Sequence, residues 1–80
     1  QKKIDYFLFD LRRYYQLDYL QLEDESFAEF LSKKSGVSFA ETKALVEELI
    51  VGKAQNNISV HDLKRIAHRI EEFKIKAQMV

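Results

Sequence analysis

Apolar residues recur along this chain at steps of three and four, the spacing that gathers them on one side of an α-helix. In the first segment Ile4, Phe7, Leu8, Leu11, Tyr14 and Tyr15 make such a stripe, and it predicts a helix over residues 2–17. Tyr6 and Phe9 fall outside the stripe and widen it, as expected of a helix contacted on more than one side. A connector over 18–23 follows, with Tyr19, Leu20 and Leu22 expected to lie over the core.

Asp24 stands where its carboxylate can accept from the free N–H groups of a new helix, predicted over 25–35 with Phe27, Phe30 and Leu31 buried. Gly36 is free to take the left-handed conformation that closes a helix, and Val37 to make the apolar contact that accompanies it. Ser38 and Glu41 have capping-box spacing and start a third helix over 39–55. Its inner face is read as Phe39, Leu45, Val46, Leu49 and Ile50, with Gly52 weakening the last turn.

Asn56 and Asn57 read as a turn. Ser59 and Asp62 begin the last helix, over 60–77, with Ile58 and Leu63 as a hydrophobic staple. Leu63, Ile66, Ala67, Ile70, Phe73 and Ala77 form its seam, and Lys74 and Lys76 suit the negative end of its dipole. No segment alternates with a period of two. The pattern therefore predicts an all-α fold, a compact bundle of about four helices in one domain over 1–80, with the second helix short and oblique.

Composition supports this. The chain has no proline and two glycines, so little interrupts helix formation. It has no cysteine, which removes disulfides and thiolate metal sites. Ten aromatics (Tyr 4, Phe 6) help so short a chain to build a core. The thirteen basic and thirteen acidic residues cancel, which weighs against a dedicated nucleic-acid binder. No apolar run approaches a membrane span. The chain begins at Gln1 and not Met, so it is read as a fragment of a longer protein.

Charge is unevenly placed. Asp18, Glu23, Asp24, Glu25 and Glu29 form a stretch without bases, while the first and last helices carry basic residues. Such segregation serves either as solvated faces or as docking surfaces of opposite sign.

Candidate chemistry is sparse. His61 and His68 are two helical turns apart, about 10 Å along the axis, too far to share one ion. His68 is better placed to meet Glu71 or Glu72. Glu47-Glu48 and Glu71-Glu72 point about 100° apart on a helix, so neither makes a shared-proton pair. None of the serines has an activating context, and no Gly-rich phosphate loop is present. The expectation is a non-catalytic domain with no metal or cofactor site.

The stretch 27–49 resembles the helix-turn-helix of repressor-type DNA-binding proteins, with Leu31, Gly36, Val37 and Leu45 at its apolar and glycine positions. Thr42 stands where that motif has a buried Val or Ile, and Ser35 where it has Leu. The reading helix would also present Glu41, Glu47 and Glu48 against Lys43, poorly suited to phosphate and base edges. A DNA-binding module is therefore the alternative reading, not the first.

A wider resemblance covers nearly the whole chain. Lys2 to Leu8, Arg12 to Asp18, Lys33 to Val37 and Ile70 to Lys74 resemble the C-terminal tail of a family of uncharacterised bacterial membrane proteins. The resemblance implies an N-terminal glutamine-amidotransferase-like domain, a membrane anchor and genes beside MoxR-type AAA+ ATPases and von Willebrand A-like proteins. It would place this domain on the cytoplasmic side of the inner membrane, and it carries over no functional residues.

Together these readings predict a helical protein–protein interaction or assembly domain. Its partner would be another protein, the preceding part of the same chain, or a second copy. Aromatics and arginine dominate interface energetics, so Tyr6, Phe9, Tyr19, Arg65 and Arg69 are the candidate partner contacts.

Overall fold

Side-chain caps set the starts of three helices. In the computed structural model, which describes residues 2–17, 22–55 and 57–78, the helices are α1 (Lys2–Tyr15), α2 (Glu25–Ser35), α3 (Phe39–Ala54) and α4 (Val60–Ala77). The backbone N–H of Ser26 donates to Asp24 Oδ1 at 3.0 Å, that of Glu41 to Ser38 Oγ at 3.3 Å, and that of Asp62 to Ser59 Oγ at 3.1 Å. Each bond satisfies a donor that the first helical turn leaves free. The capping box at α3 is only half made. The Glu41 carboxylate crosses to α4 instead, where Lys76 Nζ donates to its Oε2 at 2.7 Å.

Three of the four helices end on a left-handed residue, while α3 ends at Gln55 in extended backbone, φ −87° and ψ 129°. Gly36 has φ 78°, and its N–H donates to the Ser32 carbonyl at 2.9 Å. Ser32 Oγ then donates to the Val37 carbonyl at 2.7 Å, which draws Val37 into the core. At the end of α1 Gln16 takes φ 58°, so the helix stops at Tyr15 and not at Leu17. Leu17, beyond the helix, packs against the core.

α3 packs against each of the other three helices. It runs antiparallel to α4: Glu41 pairs with Lys76 near one end, and Gly52 meets Ile66 near the other. The core joins Ile4, Phe7, Leu8 and Leu11 of α1 to Leu45 and Leu49 of α3 and to Ile66, Ile70 and Phe73 of α4. Phe7 and Phe73 meet edge to face, with ring centroids 5.8 Å apart at 83°. The radius of gyration is 11.6 Å, the size of about 11.6 Å expected of a folded chain of this length. All described residues thus pack as an all-α bundle, with no strand among them.

Several apolar residues face outward against expectation. On α2 the inward side is Phe27, Ala28 and Leu31. Small Ala28 is buried, and Phe30 is turned out to 54% exposure. Phe39, in the first turn of α3, and Tyr14 on α1 are also about half exposed. Thr42, which the apolar pattern passes over, is fully buried. Gly52 does more than weaken a helix turn, because it is buried where α1, α3 and α4 converge. The connector residues Tyr19 and Leu20 lie outside the described residues, while Leu22 is in the core as expected.

Candidate interaction site

Two surfaces stand out once the core is subtracted. The first is the outer side of α1. Ile4, Phe7, Leu8 and Leu11 turn inward, so residues at steps of four, three and four on the opposite side share one exposed stripe: Lys2, Tyr6, Phe9 and Arg13. Tyr6 is 63% and Phe9 55% exposed, high values for aromatic side chains on a stable helix. Arg13 lies 3.7 Å from Asp10 and 5.9 Å from the Tyr14 ring, with its guanidinium still largely in solvent.

The second surface is a groove of about 730 Å³ between α2 and α3. Leu22, Ala28, Val46, Ile50 and Phe39 supply its apolar lining. Glu23, Asp24, Glu25, Glu29 and Glu47 supply its rim, with Lys43 as the one cation among the lining residues. Lys43 lies over the Phe39 ring at 6.0 Å. The Asp24 carboxyl is held below its ordinary value by the backbone N–H and hydroxyl of Ser26. Sequence reading found the acidic stretch but not the groove. Glu47 and Val46 join it from another helix, and only packing brings them beside Glu25 and Glu29.

The predicted contact residues do not gather in one place. Tyr6 and Phe9 share the α1 stripe, and Tyr19 lies outside the described residues. Arg65 and Arg69 sit at the α3–α4 seam, where both engage Glu48. Arg65 Nε is 3.1 Å from Glu48 Oε1, and Arg69 Nε is 2.8 Å from Oε2. The second contact is a charge pair without hydrogen-bond alignment, since Oε2 is buried and accepts no hydrogen bond. Both arginines are thus partnered within the chain while remaining about half exposed.

Elsewhere the polar groups finish helices or join them. Lys3 pairs with Glu71 at 3.0 Å and Lys74 with Asp10 at 3.4 Å, which tie α1 to α4. His68 Nε2 is 2.8 Å from Glu72 Oε1, the i,i+4 pair its spacing allows, and His61 is exposed at the start of α4. Among the described residues no three His, Asp or Glu side chains converge to hold a metal ion. Among them, too, no helix is long and apolar enough to cross a membrane.

The helix pair resembling a DNA-binding motif is present as α2, the Gly36 turn and α3. Its exposed polar side contributes Glu47 to the acidic groove, and Glu41 is committed to Lys76. A carboxylate in the position of Glu47 repels phosphate, whereas Glu41 is neutralised by its lysine.

The fold defines a small all-α domain, with four helices among its described residues. The chain belongs to the family described as the DUF4350 C-terminal helical domain, whose model matches residues 1–77. No curated protein matches the chain, and no solved structure does.

Proposed function

We propose that this is a non-catalytic protein-interaction or assembly domain, acting as the cytoplasm-facing tail of a membrane-associated protein. The observation that carries the reading is the α1 stripe. Two aromatics one turn apart on the side opposite the core stand at 63% and 55% exposure, outside the buried cluster that holds the bundle together. Covering the half or so of such a side chain that remains exposed stabilises a contact by about 1–2 kcal/mol. Lys2 and Arg13 at the stripe's ends supply polar rim to an apolar centre, the usual anatomy of an interface.

The resemblance to membrane-protein tails supports the location. Ion pairs between α4 and both of its neighbours support a rigid role, since they brace a surface without forming a site. The test is photocrosslinking in the full-length protein, with a benzophenone amino acid replacing Tyr6 or Phe9. A discrete crosslinked band is expected from either position and none from the same probe at Lys34, which lies on exposed α2. No band from either stripe position would overturn the proposal.

A further inference from the structure

We infer that the α1 stripe of one copy docks in the α2–α3 groove of a second copy, head to tail. This rests on the interaction reading above and names its partner. The groove has apolar walls under a rim dominated by carboxylates. Its occupant must therefore bring apolar side chains flanked by cations, at a spacing a helix can present. The α1 stripe meets this description: Tyr6 and Phe9 lie one turn apart between Lys2 and Arg13, with Arg12 also exposed beside them. Of the two carboxylates bordering the stripe, Asp5 and Asp10, the second is held by Lys74 as well as Arg13. The two cations span about 16 Å of helix.

Charge selects among the pairings these two surfaces allow. Stripe against stripe sets Lys2 against Arg13 when antiparallel, and like against like when parallel. Groove against groove brings Glu23, Glu25, Glu29 and Glu47 onto their own duplicates. Stripe against groove joins opposite charges around apolar centres. The two surfaces lie on different helices and share no residue, so one copy offers both at once. The contact is then heterologous, and successive copies form a ring or an open chain.

Sedimentation velocity of the 80-residue chain tests this at low salt over a range of concentrations. Two variants leave the core and caps alone: Tyr6→Ser with Phe9→Ser removes the stripe, and Glu23→Lys with Glu47→Lys reverses the groove. Circular dichroism checks that each keeps its helix content. The unaltered chain is expected to sediment faster as concentration rises, with affinity falling about tenfold on going to high salt. Each variant alone is expected to remain monomeric. An equimolar mixture of the two is expected to give a 1:1 pair and nothing larger, because one working stripe and one working groove remain.

A monomeric unaltered chain at every concentration overturns the inference, as does a mixture that fails to pair or a stripe variant that still associates. Photocrosslinking separates that failure from failure of the broader reading. A band from Tyr6 that contains a different polypeptide, beside a monomeric chain, removes self-docking and keeps the interaction domain. The absence of any band removes both.

Discussion

The backbone of α3 at Gly52 passes so close to Ile4 of α1 that a Cβ there would stand 2.8 Å from Ile4 Cδ1. The same Cβ would meet Ile66 Cδ1 at 3.1 Å and Ile58 Cδ1 at 3.3 Å. Three elements thus converge on one missing methyl group. Gly52→Val is expected to destabilise the domain by about 2 kcal/mol, because overpacking here displaces side chains from several directions. Gly52→Ala is expected to cost less, since the nearest atoms are flexible side-chain ends and alanine gains about 1 kcal/mol of helix propensity. Urea unfolding of both variants checks the order; an alanine variant as unstable as the valine one would refute it.

Thr42 is fully buried and its Oγ1 has no hydrogen-bond partner. A buried hydroxyl left unsatisfied costs about 1–3 kcal/mol. Valine has nearly the same shape and a similar helix propensity, so it removes that cost without opening a cavity. Thr42→Val is expected to stabilise the domain by about 1 kcal/mol, a rise of about 4–8 °C in Tm for a domain this small. Thermal unfolding by circular dichroism reads this directly, and a fall in Tm would mean that the hydroxyl has a partner after all.

Thr42 also marks what one sequence discloses. Its position is conspicuous because the helix-turn-helix motif that 27–49 resembles has Val or Ile there, yet periodicity alone gives no reason to bury a threonine. Helix starts at Asp24, Ser38 and Ser59 were legible because capping is local: the bond partners lie two or three residues away. Which side of a helix faces inward depends on neighbours far along the chain. Phe30 and Phe39 are large and correctly spaced for the core, but α2 turns Phe27, Ala28 and Leu31 inward, and both Phe30 and Phe39 stand about half exposed. The groove was hidden for the same reason. Tyr6 and Phe9 were legible as outliers from the α1 stripe, and their exposure follows from the helical period itself.

Glu48 takes both Arg65 and Arg69, so one carboxylate of α3 holds two turns of α4. Glu48→Gln is expected to destabilise by about 1 kcal/mol, since the arginines are half exposed and water screens them. The loss should shrink in high salt. A double-mutant cycle with Arg69→Gln gives the coupling. A cycle energy indistinguishable from zero at low salt would show that the pairing adds nothing to stability.

Ion pairs and burial set opposite limits on stability at the two ends of the pH scale. Asp24 is held below its ordinary value by its bonds to Ser26, and Glu71 by Lys3 with a smaller effect of Lys74. Their contributions are present above the unfolded carboxylate value of about 4 and are lost as pH falls through their lower folded values. Lys76 is raised above its ordinary value, chiefly by its hydrogen bond to Glu41. Tyr15 is raised too, by partial burial and then by Tyr14. Those contributions hold below the unfolded values of about 10 and are lost as pH rises through the folded ones. Urea midpoints across pH should therefore form a plateau falling at both ends. Asp24→Asn should flatten the acid limb and leave the alkaline limb unchanged, whereas Lys76→Met should flatten the alkaline limb. A variant that moved the opposite limb would break the assignment.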